Sequence, residues 1–315
     1  MNNIELSVVI PVFNSEEGLQ KLIKELIANL EINYKNFEII LVDDNSCDNS
    51  WKVLNDLCSK HNFIKGIQLR KNVGQHNAIF ACLKYAEGDF IITMDDDGQN
   101  PPEGIKHLVE EVKKGFDASY AKYIIKKHNL LRRLGSFINN IVASFLFNKP
   151  MKLILTSYRC FNQDINKELL KNKSTSVYLD GLIFSITKNI SNVVVEHKHR
   201  LLGKSNYTFF KLFTLWTQMA TGFSILPLRI SSLLGILFSV SSFLITIWFV
   251  FIRSVPSDIP VGWTSLIVVV IFFGGIQLLA LGLIGEYIGR TYLTVNNSIQ
   301  YSEKNKLNIK VIKNN

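Results

Sequence analysis

The chain has 315 residues, of which 47% are hydrophobic and 19% are charged, and its formal net charge is +9. This apolar content excludes a chain that is disordered throughout, and the charged fraction is below the roughly 25% typical of soluble domains. Some segment must therefore be very apolar, and the positive charge indicates an anionic partner such as a phosphorylated substrate, an acidic membrane surface or nucleic acid.

From the N-terminus to about residue 120, short apolar runs alternate with segments of helical periodicity. The apolar, β-branched runs predict four strands, at Leu6–Val12, Phe37–Val42, Phe63–Leu69 and Phe90–Met94. Helices are predicted between them, and one more after Pro101 and Pro102, because apolar residues recur there at spacings of three and four. The clearest helical stripe consists of Leu19, Leu22, Ile23, Leu26, Ile27 and Leu30. Strands that alternate with helices predict an α/β fold with a mostly parallel sheet.

Two uncharged runs in the second half predict a transmembrane hairpin. Residues 230–252 and 261–285 contain no charged side chain, and each run is long enough to cross a hydrocarbon core of about 30 Å. Pro256 and Pro260 lie in the connector, which predicts a tight turn. Basic residues lie mainly outside this connector, so both termini are expected on the cytoplasmic side of the cell inner membrane.

Acidic residues follow two of the predicted strands. Asp43 and Asp44 come after the second strand, and Asp95, Asp96 and Asp97 come after the fourth. Ligands of parallel sheets bind beyond the carboxyl ends of the strands, so both clusters are expected in a ligand site.

The triplet after the fourth strand predicts a cation site. In an extended segment Asp95 and Asp97 share one face while Asp96 points away, and Gln99 can add a neutral oxygen. Oxygen ligands suit Mg²⁺ or Mn²⁺ bound together with substrate phosphates. The alternative is a solvated acidic turn.

Two other nucleotide motifs are absent from the sequence. No Gly-x-Gly-x-x-Gly fingerprint occurs, and the segment Gly203–Ser205 only resembles the end of a P-loop, because Lys198 stands where a glycine is required. His197 and His199 flank Lys198 but have no evident third zinc ligand, and the scattered cysteines form no disulfide or zinc pattern.

An ordered set of motifs resembles a known enzyme family over nearly the whole chain. The segments are Val9–Asn14, Val42–Asp48, Asn72–Gln75, Met94–Glu103, Ser157–Arg159, Arg200–Tyr207 and, after the apolar hairpin, Gly285–Arg290. The chain resembles family 2 glycosyltransferases of the GT-A fold. More narrowly, it resembles the polyprenyl-phosphate sugar transferases, the group of dolichyl-phosphate-mannose synthase and bactoprenol glucosyltransferase.

The resemblance implies a role for each matching position. Catalysis would rest on Asp95, Asp97 and Arg200, and the divalent metal on Asp95, Asp97 and Gln99. The donor would be bound by Pro11, Phe13, Asn14, Glu16, Asp43, Asp44, Asn72, Gln75, Asp95, Asp96 and Lys122. The acceptor phosphate would be bound by Arg132, Arg133, Arg159, Arg200, Lys204 and Ser205.

Three positions depart from the family pattern. Ser15 stands where the family has a glutamate, so that contact passes to Glu16 or is missing. Asp96 occupies a position where the family usually has a small residue. Asn206 stands where a basic residue is usual, and Lys204 is expected to replace that residue in function.

The resemblance also implies a division of the chain. Residues 1–205 would form a cytoplasmic GT-A catalytic domain, 206–228 an interfacial amphipathic helix, 229–287 the two transmembrane helices and 288–315 a basic cytoplasmic tail. Residues 206–228 are rich in aromatic residues and follow basic ones, which is typical of a helix lying on a membrane, although a core helix is the alternative.

The expected reaction is inverting transfer of a monosaccharide from a nucleotide-sugar, uridine-linked by family default, to polyprenyl (undecaprenyl) phosphate. A phosphate monoester is already ionised near pH 7, so a strong general base is unnecessary and Asp180 is only a leftover candidate for one. Relatives suggest a homo-tetramer, and no residue identifies the sugar. The alternatives are a processive polysaccharide synthase, whose Gln-x-x-Arg-Trp motif is missing, and a non-catalytic membrane scaffold. No nucleic-acid recognition motif is present.

Overall fold

Two units divide the chain. The first contains residues 1–207 together with 297–315, and the second contains residues 208–296. The computed structural model describes residues 4–123, 153–172, 174, 177–195, 228, 231–238, 240–241, 244, 262–296 and 299–309.

The first unit contains an eight-stranded sheet. Its strands are β1 (Leu6–Val12), β2 (Phe37–Asp43), β3 (Ile64–Leu69), β4 (Phe90–Thr93), β5 (Ala118–Tyr123), β6 (Arg159–Asn162), β7 (Ile190–Val195) and β8 (Glu303–Leu307). Their order in the sheet is β7-β5-β6-β4-β1-β2-β3-β8. The four strands predicted from sequence are β1 to β4, and their pairing is parallel, as expected. The strands β6 and β8 run antiparallel to their neighbours.

Six helices of the described residues pack on this sheet. They are α1 (Glu16–Asn33), α2 (Ser50–Lys60), α3 (Gln75–Leu83), α4 (Gly104–Lys113), α5 (Gln163–Leu170) and α6 (Leu179–Ile186). Successive side chains of a strand point to opposite faces, and Val8 and Val9 of β1 accordingly enter different cores. One core contains the buried faces of α1, α2 and α4, and the other contains those of α3, α5 and α6. The predicted stripe of α1 is confirmed, since its leucines and Ile23 are buried.

The C-terminal strand β8 closes the edge of the sheet beside β3. It pairs antiparallel with β3, with Gly66 opposite Leu307. Just after it, the side-chain amide of Asn308 donates to the main-chain carbonyls of Cys58 and Ile64 at 2.7 and 2.8 Å. Residues 288–315 were expected to form a tail, and this expectation is wrong for 303–307. Their main chain completes the sheet while their side chains remain largely polar, so no hydrophobic pattern marks the strand.

The second unit contains a long apolar helix, α7 (Trp263–Val295). Its 33 residues extend about 50 Å at 1.5 Å per residue. Within the described residues, one segment, Phe272–Val295, is long and apolar enough to cross a membrane. The predicted second span ended at residue 285, but the helix continues for ten residues more. No proline interrupts it, and polar residues such as Glu286 and Arg290 are good helix formers.

The first predicted span falls largely outside the described residues. Residues 231–238 within it are helical, and most of their side chains are exposed. The ring of Phe238 lies 5.8 Å from the rings of both Phe272 and Phe273 of α7, measured between centroids. Of the predicted interfacial helix over 206–228, only residue 228 is described.

Candidate active site

The carboxyl ends of β2, β1 and β4 lie side by side in the sheet. The central strand β1 pairs in parallel with β2 on one side and with β4 on the other. Each strand is followed by a polar loop, so three loops distant in sequence meet at this edge. This is where parallel sheets bind ligands, and the predicted site residues Asp44, Asp95 and Asp96 are among those that lie in these loops.

Asp95 follows β4 and is held by two side chains. Gln75, the first residue of α3, donates from Nε2 to Asp95 Oδ1, and the hydroxyl of Ser157 donates to Asp95 Oδ2. Burial raises the pKa of Asp95, the Ser157 hydrogen bond opposes this shift, and the charge of Asp97 adds to it. Asp95 is therefore fixed in orientation and lies within electrostatic range of a second carboxylate.

Asp96 and Asp97 lie in a turn rather than in the expected extended segment. The strand β4 ends at Thr93, and Gly98 has φ +73°, a left-handed conformation that glycine adopts without steric cost. Asp97 Oδ1 accepts a hydrogen bond from the main-chain nitrogen of Gln99 at 3.0 Å. Side chains alternate between two faces in an extended strand but not in a turn. The backbone of the turn therefore determines the directions in which the side chains of Asp95, Asp96 and Asp97 point.

Asp96 is directed at the loop after β1. Its Oδ2 accepts from the main-chain nitrogen of Phe13 at 3.0 Å and from the hydroxyl of Ser15. Burial raises the pKa of Asp96 to about 6, and the hydrogen bond from Ser15 opposes the shift. This carboxylate therefore belongs to the contact between two loops.

The carboxylates of Asp95 and Asp97 suit a divalent cation whose remaining coordination positions are filled by a substrate. Asp95 and Asp97 repel each other, and Gln99 can supply a third oxygen. Among the described residues, no group of three or more His, Cys, Asp or Glu side chains is arranged to hold a metal. Two carboxylates with open positions suit Mg²⁺ or Mn²⁺, which usually bind through one or two carboxylates together with substrate phosphates.

Asp43 and Asp44 organise neighbouring loops. Both are buried, and Asp43 Oδ1 accepts from the main-chain nitrogen of Ser46 at 3.0 Å. The two oxygens of Asp44 accept from the main-chain nitrogens of Val73 and Gly74 at 2.8 and 2.9 Å. Burial raises the pKa of Asp44, and these two hydrogen bonds oppose the shift. Asp44 thus fixes the segment that leads to Gln75 and from there to Asp95.

The loop after β1 is tied to the loop after β2. Asn14 has φ +53°, and its side-chain oxygen accepts from the main-chain nitrogen of Cys47 at 2.9 Å. Glu16 Oε2 accepts from the main-chain nitrogen of Asn49 at 2.7 Å, at the start of α2. The contact of the missing family glutamate was expected to pass to Glu16 or to be absent, and in the structure the Glu16 carboxylate accepts a hydrogen bond from the main chain of Asn49.

The other described donor residues differ in exposure. Phe13 is 47% exposed, whereas Pro11 is buried inside β1. Asn72 and Lys122 are exposed, the latter near the end of β5. Phe13, Asn72 and Lys122 are therefore accessible to a ligand, whereas Pro11 is not. Their contacts with a donor stay predictions.

Arg159 does not lie where an acceptor phosphate could reach it, and this prediction is wrong. Its side chain is 1% exposed and forms an ion pair with Asp180 of α6. Its Nε donates to the hydroxyl of Thr93 at 3.1 Å and to the carbonyl of Ser157 at 3.4 Å. Arg159 therefore supports the end of β4 and the residue that holds Asp95. The same pair engages Oδ1 of Asp180, which is itself buried, and a role of Asp180 as a base stays untested.

The structure adds functional residues that the sequence analysis did not assign. Ser157 was quoted within a family motif but given no role, and it holds Asp95. Ser15 was noted as a departure, and it binds Asp96. Five predicted acceptor-phosphate residues, which include the predicted catalytic Arg200, lie outside the described residues: Arg132, Arg133, Arg200, Lys204 and Ser205.

Comparison with known proteins identifies the class of the chain. The model of glycosyl transferase family 2 matches residues 7–172, and the chain belongs to that family. It is a glycosyltransferase, as the sequence analysis predicted. The match begins in β1 and ends after α5, so it covers the loops that carry Asp95, Asp96 and Asp97.

Curated relatives match nearly the whole chain. The undecaprenyl-phosphate 4-deoxy-4-formamido-L-arabinose transferase of Proteus mirabilis is 33% identical over 94% of this chain and 92% of its own length. The protein of the same name from Pectobacterium atrosepticum is 35% identical over 94% of this chain and 91% of its own.

Solved structures share the fold. Glucosyl-3-phosphoglycerate synthase from Mycobacterium tuberculosis, in complex with Mn²⁺ and uridine-diphosphate-glucose, superposes with a TM-score of 0.51. It is 16% identical, and the match covers 69% of this chain and 77% of the synthase. The predicted mostly parallel GT-A sheet is confirmed.

Proposed function

We propose that this glycosyltransferase transfers a monosaccharide from a nucleotide-sugar to undecaprenyl phosphate at the cytoplasmic face of the inner membrane. The observation that carries the proposal is the extent of the similarity. Relatives named as undecaprenyl-phosphate sugar transferases align over 94% of this chain, which includes the apolar segments as well as the sheet domain. Their sugar, 4-deoxy-4-formamido-L-arabinose, is therefore the first donor sugar to test.

The acceptor is an ionised phosphate that needs no general base. The second pKa of a phosphate monoester is about 6, so its oxygen carries negative charge near pH 7. This oxygen attacks the anomeric carbon from the side opposite the diphosphate, the bond to the diphosphate oxygen breaks, and the configuration inverts. No proton has to be removed, in agreement with the burial of Asp180 against Arg159.

Charge stabilisation is the main task of the site. Asp95, Asp97 and Gln99 would hold Mg²⁺ or Mn²⁺, which when bound supplies positive charge at the departing diphosphate. The Mn²⁺ complex of the mycobacterial synthase supports divalent-metal chemistry on this fold. Gln75 and Ser157 keep Asp95 oriented while the charge develops. Arg200 and its basic neighbours in sequence remain the predicted contacts of the acceptor phosphate.

The apolar segments would place this site at the membrane. We propose two membrane spans, with both termini and the sheet domain cytoplasmic. The length of α7 and the packing of Phe238 on Phe272 and Phe273 support a helical hairpin. A homo-tetramer is proposed from the family resemblance alone.

The test is transfer of labelled sugar to lipid by the full chain in detergent. The purified protein is incubated with undecaprenyl phosphate, Mn²⁺ and a panel of radiolabelled nucleotide-sugars, and the products are extracted into organic solvent. We expect one donor to give a lipid-linked monosaccharide that mild acid releases as a single sugar.

Two outcomes would contradict the proposal. Label in a polymer that does not enter the organic phase would identify a processive synthase. No incorporation from any donor, by a protein that is folded and loaded with metal, would indicate a non-catalytic scaffold.

A further inference from the structure

Two loops that are 80 residues apart in sequence are joined by one carboxylate. Asp96, in the turn after β4, accepts at Oδ2 from the main-chain nitrogen of Phe13 at 3.0 Å. The same oxygen accepts from the hydroxyl of Ser15. Both donors lie in the loop after β1, so Asp96 fixes the position of the Phe13 main chain relative to the turn that carries Asp95 and Asp97.

Phe13 is an exposed aromatic residue at the ligand edge of the sheet. The residue is 47% exposed, although Val12 before it is fully buried. The next residue, Asn14, has φ +53°, and residues 13 and 14 form a bend directly after the strand. Aromatic side chains in such positions stack on nucleobases, because every base offers a flat π-face.

We propose that Asp96 is a positioning residue for the nucleoside of the donor and acts through Phe13. The inference rests on the proposed function, since it requires a nucleotide donor. Asp96 holds the aromatic face that receives the base, while Asp95 and Asp97 on either side would hold a divalent metal that supplies positive charge at the diphosphate end. One turn thus sets the distance between the two ends of the donor.

The contacts of Asp96 separate it from the metal ligands. Its Oδ2 is already shared by two donors, and the described residues contain no cluster of three carboxylates that could hold a metal. A direct hydrogen bond from Asp96 to the ribose is the competing role. The two roles differ in one measurable respect, which is whether Asp96 still matters after Phe13 has been removed.

The experiment measures uridine diphosphate binding by calorimetry, with the full chain in detergent and EDTA present. We expect Phe13→Ala to weaken binding about tenfold, as for loss of one stacking contact. Asp96→Ala should weaken binding by a similar factor, and Ser15→Ala by about twofold to fivefold, as for loss of one hydrogen bond. Asp164→Ala, which removes an exposed carboxylate on α5, is the matched control and should bind as the wild type does.

The decisive variant is the double substitution Phe13→Ala with Asp96→Ala. If Asp96 acts through Phe13, the double variant binds no more than twofold more weakly than Phe13→Ala alone. Additive losses would show a direct contact and overturn the proposal, and so would wild-type affinity in Asp96→Ala. If the alanine variant does not fold, Asp96→Leu, which is of similar size but has no acceptor oxygen for Phe13 and Ser15, replaces it in the cycle.

Failure of this inference can be told apart from failure of the proposed function. If the wild type binds none of the diphosphates of uridine, guanosine, cytidine or adenosine, either in EDTA or with Mn²⁺ present, both are overturned. If it binds one of them and Asp96→Ala binds it equally well, only the positioning role is lost. Asp97→Asn serves as the metal-side reference, because it should reduce binding with Mn²⁺ present but leave binding in EDTA unchanged.

Discussion

Two acidic clusters lie at the ends of parallel strands of this sheet, but their carboxylates have different contacts and different roles. Asp43 and Asp44 at the end of β2 are buried, and main-chain nitrogens occupy both oxygens of Asp44. Asp95 and Asp97 after β4 are only partly buried and repel each other. The first cluster builds the loops of the site, and the second is left with charge that a ligand can neutralise. An acidic pair at a strand end can therefore serve the loops instead of a ligand, as Asp44 does with both oxygens bound by main-chain nitrogens.

The largest effect is expected beneath the second cluster, at Arg159. Breaking a buried ion pair leaves an uncompensated charge, so Arg159→Met should lower the free energy of unfolding by about 3–5 kcal/mol. Asp180→Leu should cost a similar amount. The double variant should recover most of the loss, because apolar residues can replace a buried pair at little cost. Chemical denaturation in detergent measures all three.

The same double variant tests whether Arg159 has only a supporting role. If Arg159 only supports Asp95 through Ser157 and Thr93, a folded double variant keeps measurable sugar transfer. A folded double variant that binds donor but transfers nothing would return Arg159 or Asp180 to the catalytic machinery.

The next effect concerns the ligand-facing cluster. Asp97→Asn keeps the shape of the side chain and removes its charge, so the rate of transfer should fall by about two orders of magnitude, as for loss of a key electrostatic stabiliser. The melting temperature should change little. Asp56→Asn, an exposed position on α2, is the control. Full activity of the wild type in EDTA would remove the metal from the mechanism.

Asp44→Asn should differ from Asp97→Asn in that its main effect is a loss of stability. Its carboxylate accepts two main-chain hydrogen bonds, and hydrogen bonds to charged groups contribute about 1.5–3 kcal/mol. We expect a loss of stability of that size, measured by denaturation, and a fall in transfer that lower temperature partly restores. An inactive Asp44→Asn with wild-type stability would place Asp44 among the direct donor contacts.

The smallest effect is a pH dependence at His76, beside Gln75. Burial lowers the pKa of His76 to about 4, and its Nδ1 accepts from the main-chain nitrogen of Leu179 at 3.4 Å. Asp180 opposes the shift and Arg159 adds to it. The unfolded chain binds a proton below about pH 6.5 and the folded chain does not, so stability is present above that pH and is lost as pH falls towards 4.

Protonation of His76 involves at most one proton, so it changes the free energy of unfolding by at most about 1.4 kcal/mol per pH unit. His76→Asn keeps an acceptor for Leu179 and removes the titration, so its melting temperature should fall less steeply between pH 6.5 and 4.5. Parallel curves for the two proteins would show that another group controls the acid sensitivity.

Local pattern was sufficient for the strands and helices around the site. The four strands β1 to β4 and the stripe of α1 follow directly from the periodicity of apolar residues, because each element buries a face against the same sheet. Asp95 and Asp97 were predicted as a pair from their place after β4. The roles of Asp44 and Asp96 depend on which donors the neighbouring loops present, and no local pattern records this.

Long-range pairing accounts for the features that the sequence analysis missed. Arg159 resembles any surface cation in sequence, and only its contact with Asp180, 21 positions later, explains its burial. The strand β8 consists of Glu303–Leu307, a polar segment without alternation. It is recognised as a strand only beside β3, more than 230 residues away.

The strand β8 has a consequence for the order in which the protein matures. The ribosome makes β3 long before β8, and the apolar helix α7 lies between them in the chain. Until residues 303–307 emerge, the nascent sheet presents β3 as an open edge, a surface that invites pairing with other chains. Synthesis of the apolar helix therefore precedes completion of the catalytic sheet. A chain cut short just after α7 would carry its catalytic loops but be prone to aggregate.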